Sequence, residues 1–428
     1  MDGGVMKRLY RISGGNFLTG IIDVDGSKNA ALPIICASIL MKDEVILHNI
    51  PDIKDIRDLL DILDFLNVRY SFKNKTLKVD SSKIINKKIP SYLTDKFRAS
   101  YYLLGTLINL FDCVEVGKMG GCKIGERPID QHILGFKNLG FTFVETNDSY
   151  VLKRDNNKYN DVSFQINSLG ASINVLLASL FLKREVSFYN ISVEPEFIDL
   201  VEFLKTAGFI IDYDVDKKTL VVEPSVPKKK VSYQIMYDRL EAGSYAILGA
   251  LIGKKLIIRN FSKYCLSFLL DTFDKMNVEY SFDGNNFLIS ASHDIKPIDL
   301  IVNPFPSFAT DLQQIISILM LKADGISSID DQLFPTRYLQ LKTIGKNKIN
   351  YAINEKIIIF GNKYFYPGFY VGTDLRGSMA LLIYCLVAPG VSYFDPKNHL
   401  DRGYANWFEK LLNVGANISK EDIYEKDV

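Results

Sequence analysis

Cys122 is the residue best placed for chemistry. It follows Gly120 and Gly121 in "MGGCKIGERPID", and Lys123 and Arg127 come directly after it. A thiol beside two cations is biased toward thiolate, and adjacent glycines free its backbone. The alternative is a loop cysteine without a task. A second set recurs along the chain. Lys28, Arg98, Arg239 and Arg376 each stand at the start of a long apolar run, and so does the acidic Asp311. A cation at a helix N-terminus is unfavourable by itself, but it adds to the helix's affinity for anions. Together the set reads as an anion site, although each charge taken singly reads as a residue at a loop edge. A carboxylate at Asp311 could take a proton from a hydroxyl, or with Thr310 it could simply cap its helix.

These residues need elements to hold them. Six segments share one form, among them "GSKNAALPIICASIL", "SLGASINVLLASLFL" and "TDLRGSMALLIYCLV". Their markers Lys28, Arg98, Gly170, Arg239, Asp311 and Arg376 recur about every 70 residues. A second series, amphipathic and ending in Gly or Asn before a strand-like run, has the same period. Its markers are Asn67, Gly140, Gly208, Asn277, Gly345 and Gly415. Each unit therefore reads as strand, helix, strand, helix and a strand pair. The first helices are apolar all round and belong inside, and the second belong outside. The fold class is α/β: two inside-out barrel domains, each of three repeated units with buried helices. The domains are expected at 28–236 and at 1–27 with 237–428. A six-unit solenoid is the other arrangement such a repeat allows.

The chain's 428 residues suit two domains. The 51 basic and 50 acidic residues leave a net charge of +1, which argues against a broad nucleic-acid surface. The start lacks a signal-peptide pattern and no apolar run reaches membrane length, so a cytoplasmic protein is expected. Five irregularly spaced cysteines argue against a disulfide framework. Cys36, Cys113, Cys265 and Cys385 read as core residues. No metal spacing, P-loop or dinucleotide motif is present, so neither metal nor cofactor is expected.

Several stretches, "DGSKNAALPI", "FRASYYLLG", "GGCKIGERPIDQHI", "SLGASINVLLAS", "FATDLQQ", "TDLRGSMALLI" and "HLDRGYANWFEKLLNVGANI", resemble the UDP-N-acetylglucosamine 1-carboxyvinyltransferases. These are the enolpyruvyl transferases of peptidoglycan synthesis. The resemblance runs in order from about Arg8 to Ile418. It implies transfer of the enolpyruvyl group of phosphoenolpyruvate to the 3′-hydroxyl of UDP-N-acetylglucosamine, through a tetrahedral ketal, with phosphate released. It also implies inhibition by fosfomycin, and partners limited to the small-molecule substrates: no nucleic acid, membrane or obligate protein.

The resemblance implies roles residue by residue. Cys122 matches the proton-donating loop cysteine. Lys28 and Asn29 match contacts to phosphoenolpyruvate and sugar. Arg127 matches a phosphate-binding arginine, and Arg376 and Arg402 match arginines of the carboxylate and phosphate site. Arg98 matches a sugar-nucleotide contact. The run Arg127, Pro128, Ile129, Asp130 and Gln131 matches the uridine end, and Ser168, Leu169 and Gly170 match the diphosphate turn. Asp311 matches the carboxylate at the 3′-hydroxyl, and Leu333 a backbone contact. The chain departs from the family at Pro335 and Thr336, where Glu-Asn is usual before Arg337. It also departs at Ile166, a lysine in some members, and at Ala309, usually proline. Two rivals are an RNA 3′-phosphate cyclase, opposed by the near-zero charge and the cysteine loop, and an inactive UDP-sugar-binding paralogue, opposed by the retention of Lys28, Cys122, Asp311 and Arg402.

Overall fold

A computed structural model describes residues 6–120, 128–155, 160–345, 351–353, 356–361 and 363–424. The chain divides into two compact units. The first is Asp25–Met236, and the second joins Met1–Val24 to Tyr237–Val428.

In the first unit the helices are α1 (Lys28–Ser38), α2 (Lys54–Phe65), the short α3 (Ser91–Thr94), α4 (Tyr102–Leu107), α5 (Asp130–Asn138), α6 (Leu169–Ser179) and α7 (Pro195–Thr206). The first helix of each repeat is apolar on every side and lies inside. All residues of α1 from Ala30 to Ser38 are buried, as are all of α4 and Ala171–Ser179 of α6. Of the second helices, α2 buries Ile56, Leu59, Leu60, Ile62 and Leu63 while Arg57, Asp61 and Asp64 stay outside, the stripe its 3.6-residue spacing dictates.

Three sheets lie outside these core helices. One runs Val231–Gln234, Glu44–His48, Thr76–Asp80, Arg69–Lys73; a second Ile210–Asp214, Thr219–Glu223, Val186–Tyr189, Val162–Ser163; the third has three strands from Cys113 to Arg154. The two-residue side-chain period fixes the register. Val45 pairs with Val79 and Leu47 with Leu77, and all four are buried.

The second unit repeats the plan. Its helices are α8 (Arg239–Ile252), α9 (Ser267–Lys275), α10 (Thr310–Lys322), α11 (Leu339–Gly345), α12 (Leu375–Val387) and α13 (Trp407–Asn413). Helices α8, α10 and α12 pack on one another, and every residue of α8 is buried. Three four-stranded sheets complete the unit. The repeats close into two three-sheet units rather than a solenoid.

Five of the predicted helix-end markers have positive φ: Asn67 at 62°, Gly140 at 77°, Gly208 at 97°, Asn277 at 58° and Gly415 at 92°. The left-handed turn that ends a helix admits Gly freely and Asn with little strain, which is why these two types mark the period.

Two strands cross the repeat boundaries. Leu18–Asp23 leads into α1 but pairs in parallel with Gly253–Arg259 of the second unit. Val231–Gln234 leads toward α8 but pairs in parallel with Glu44–His48 of the first. Each unit is thus completed by a strand about 190 to 230 residues from its parallel partner in sequence.

Cys113 is corrected. It opens a strand whose Val114 and Val116 face inward, so alternation turns its thiol outward, and it is exposed. Cys36, Cys265 and Cys385 are buried.

Candidate active site

In the second unit, Asp311 occupies the first turn of α10. It does not cap the helix. Ala309 is the N-cap, without a side-chain bond, and Thr310 instead donates to Asp331 Oδ2 at 2.7 Å. The Asp311 carboxylate is gripped by two arginines. Arg337 Nη1 donates to Oδ1 at 2.8 Å and Arg376 Nη2 to Oδ2 at 3.3 Å. The arginine side chains are 4% and 1% exposed, against 28% for Asp311. The cations are sunk and the carboxylate reaches toward solvent.

Arg376 is therefore no loop-edge charge. It lies on the second residue of α12, whose N-cap Asp374 accepts from the backbone N–H of Arg376 and Gly377 through Oδ1, both at 3.1 Å. Burial opposes its charge, but Tyr404, Asp311 and Asp238 outweigh that and hold its pKa above the ordinary value. The guanidinium lies 5.1 Å from the Tyr404 ring centroid. Its Nε and Nη1 are buried and have no hydrogen-bond partner among the described residues. A fully buried cation with unused donors is fit to receive an anionic ligand.

Arg239 repeats the placement. It is buried as the first residue of α8, behind the N-cap Asp238, with its guanidinium 5.5 Å from the Phe305 ring centroid. Arg402 ends the 3₁₀ turn Leu400–Arg402 and is half-buried. It shares the surroundings of His399, whose pKa is lowered by burial first and also by Arg402, with Asp374 and Asp395 pulling the other way. Leu333 donates its N–H to Asp331 Oδ1 at 3.0 Å, so its turn is tied to the same carboxylate as Thr310.

In the first unit, Lys28 opens α1. Its Nζ donates to Asp55 Oδ2 at 3.4 Å, and Asn29 beside it is half-buried. Arg98 begins the 3₁₀ turn before α4, with its guanidinium 5.5 Å from the Tyr101 ring centroid. Pro128 is exposed, Ile129 is half-buried, and the exposed Asp130 opens α5.

Gln131 joins two of the predicted stretches. Its Nε2 donates to Asp130 Oδ2 at 2.7 Å, while its Oε1 accepts from the backbone N–H of Gln165 at 2.9 Å and of Ile166 at 3.4 Å. The loop holding Pro128 and Ile129 is thereby tied to the strand end that leads into Ser168. Ser168 caps α6, its Oγ accepting from Ala171 N at 3.4 Å, and Leu169 is the first helical residue. A Cβ at Gly170 would fall 2.2 Å from the Tyr101 hydroxyl and 3.4 Å from His132 Nε2. Arg98 neighbours this cluster through Tyr101, so the structure assembles Arg98, Gln131 and the 168–170 turn around one helix N-terminus.

Sequence reasoning assigned no role to His132, Asp374 or Gln314. His132 lies edge-on to Tyr101 with ring centroids 4.8 Å apart. Burial, and then Arg98, push its pKa down to about 3, so the ring is neutral at physiological pH. Its single signal was nearness to Cys122 in sequence.

Cys122 and Arg127 lie outside the described residues. The stem leading to them is described, and it corrects the reading of Gly120 as a source of mobility. Its N–H donates to Thr94 O at 3.3 Å, and a Cβ there would fall 1.8 Å from Asp95 O. Glycine is required because two backbones touch. Among the described residues, no group of His, Cys, Asp and Glu forms a metal site, and no helix is long and apolar enough to cross a membrane.

Comparison with known proteins follows the same lines. The family model described as EPSP synthase (3-phosphoshikimate 1-carboxyvinyltransferase) matches residues 12–411. UDP-N-acetylglucosamine 1-carboxyvinyltransferase 2 of Listeria monocytogenes serotype 4b is 34% identical over 421 residues, covering 97% of this chain and 98% of its own. The UDP-N-acetylglucosamine 1-carboxyvinyltransferase of Campylobacter lari is 33% identical over 420 residues, 96% of this chain and 98% of its own. Among solved structures, the enolpyruvyl transferase NikO from Streptomyces tendae superposes with a TM-score of 0.88 at 20% identity, covering 98% of this chain and 100% of that one. An EPSP synthase from Acinetobacter baumannii gives 0.72 at 14% identity, covering 97% and 100%. These two likenesses speak to the fold. With the model match and the two relatives covering nearly the whole chain, the protein belongs to the enolpyruvyl (1-carboxyvinyl) transferase family.

Proposed function

We propose that the chain transfers the enolpyruvyl group of phosphoenolpyruvate to the 3′-hydroxyl of UDP-N-acetylglucosamine, releasing phosphate, as the first committed step of peptidoglycan synthesis. The observation that carries the reading is the Asp311 carboxylate held against the buried Arg376, in a chain one-third identical, end to end, to carboxyvinyltransferases with that acceptor in their names.

The reaction asks for a base at the hydroxyl, an acid at the methylene and cations around phosphate and carboxylates. Asp311 takes the 3′-hydroxyl proton as the sugar oxygen bonds to C2 of phosphoenolpyruvate. Cys122 gives a proton to C3, producing the tetrahedral ketal. The C2–O bond to phosphate then breaks, the thiolate left at Cys122 takes a proton back from C3 as the double bond returns, and the proton held by Asp311 leaves with the phosphate. Arg376, Arg402, Lys28 and Arg127 hold the carboxylate and phosphate. Asn29 contacts the sugar and Leu333 the sugar nucleotide. Arg98, the 128–131 run and the Ser168–Gly170 turn bind the nucleotide, with α6 presenting its N-terminus to the diphosphate. Neutral His132 beside that turn adds no charge of its own. A cytoplasmic location goes with this reading, since phosphoenolpyruvate is a cytoplasmic metabolite.

Mass spectrometry of the nucleotide-sugar product tests the reading. An enolpyruvyl ether of UDP-N-acetylglucosamine supports it, and recovery of unmodified acceptor after prolonged incubation opposes it.

A further inference from the structure

We propose that Gln314 is a positioning residue for Asp311: a buried amide that couples the two arginines holding its carboxylate. The inference rests on the role given to Asp311 above.

Gln314 lies on α10, is fully buried, and uses its whole amide. Nε2 donates to Gln340 Oε1 at 3.0 Å and to Asp374 Oδ2 at 3.1 Å, and Oε1 accepts from Arg337 Nε at 3.1 Å. The amide has one workable orientation. Reversed, its NH₂ would face the guanidinium and its oxygen the Asp374 carboxylate, donor against donor and acceptor against acceptor. Gln340 is oriented in turn, because its Nε2 donates to Ser317 Oγ at 3.2 Å while Ser317 donates to the main-chain carbonyl of Gln314 at 2.6 Å. Gly377 leaves the passage open. A Cβ there would lie 2.8 Å from Gln314 Nε2 and 2.7 Å from Asp374 Oδ2.

Both arms of the grip on Asp311 therefore run through one side chain. On one arm, Gln314 fixes Arg337 through Nε, which aims Nη1 at Asp311 Oδ1. On the other, it holds Asp374 by Oδ2 while Oδ1 caps α12 at the N–H of Arg376, whose Nη2 reaches Asp311 Oδ2. A buried amide paired on both sides keeps one geometry, and loss of this central member frees both arms together.

Steady-state kinetics of Gln314→Leu and of Gln314→Glu, which keeps the volume but removes the donor to Asp374, test the inference. We expect kcat to fall about tenfold, as for a base displaced from its productive position. KM for UDP-N-acetylglucosamine should stay within about twofold, because Gln314 holds no group assigned to the nucleotide, while KM for phosphoenolpyruvate should rise modestly as Arg376 loosens. Because Gln314→Leu acts in part through Arg337, its cost on top of Arg337→Met should be smaller than its cost alone, and a merely structural role would not give that non-additivity. Parent-like kcat in either folded Gln314 variant, or additive losses in the double variant, overturns the inference. Asp311→Asn separates the two layers. Full turnover in Asp311→Asn removes the assignment beneath this inference, whereas its collapse beside parent-like Gln314 variants removes this inference alone.

Discussion

Arg376 Nη2 lies 3.3 Å from Asp311 Oδ2, and the two side chains start at the first turns of neighbouring buried helices 65 residues apart in sequence. One repeat supplies the cation and the preceding repeat supplies the carboxylate. Asp311→Asn keeps the shape but removes the charge and the base. Its kcat should fall by about 10²–10⁴, the usual worth of a positioned general base. Circular dichroism should show the fold intact. A kcat within a factor of about three of the parent would remove Asp311 from proton transfer.

The diphosphate turn gives a binding prediction. A side chain at Gly170 would drive into the Tyr101 hydroxyl and press on His132. Gly170→Ala should raise KM for UDP-N-acetylglucosamine by about tenfold, a little over 1 kcal/mol, with KM for phosphoenolpyruvate much less affected. Equal rises in both constants would mean that the turn does not select the nucleotide.

Asp199 gives a pH prediction for the first unit. Burial raises its pKa from 3.8 to about 6, although Met236 N–H and the Tyr233 hydroxyl donate to it. A raised carboxyl favours the protonated folded state. Its contribution is therefore whole below about pH 4 and is lost as pH rises through about 6, a difference of about 3 kcal/mol. Asp199→Asn should be less sensitive to pH than the parent across that window in chemical denaturation. Parallel curves for the two proteins would show that Asp199 titrates normally.

The thiols are ranked by their surroundings. Burial pushes Cys36 and Cys385 far up, which keeps them protonated and inert, whereas Cys113 is exposed on a strand. Fosfomycin should nevertheless label Cys122, because Lys123 and Arg127 flank that thiol and the epoxide phosphonate mimics phosphoenolpyruvate in charge. Cys122→Asp, which can still donate a proton, should remain partly active and resist the drug. Peptide mapping that places the label on Cys113 would sink the loop assignment.

Much of the fold was legible because the repeat is written in local chemistry. Asn67, Gly140, Gly208, Asn277 and Gly415 mark left-handed helix ends, and an apolar run without a polar face can only be a core helix. The crossing of Leu18–Asp23 into the second unit was not legible at the strand level. Its partner, Gly253–Arg259, lies more than 200 residues away, and no local pattern records pairing at that range. The site divides in the same way. Asp311 and Arg376 stand at helix starts and could be found there. Arg337, Gln314 and Asp374 meet through hydrogen bonds between segments that share no motif, and a buried glutamine inside an apolar run looks like any other residue of its helix.

The most direct test of the account is phosphate release from phosphoenolpyruvate by the purified protein, measured with and without UDP-N-acetylglucosamine and with shikimate 3-phosphate as the competing acceptor. The account predicts sustained release that requires UDP-N-acetylglucosamine and yields one phosphate per nucleotide sugar consumed. Release driven by shikimate 3-phosphate instead, or none with either acceptor, would contradict it.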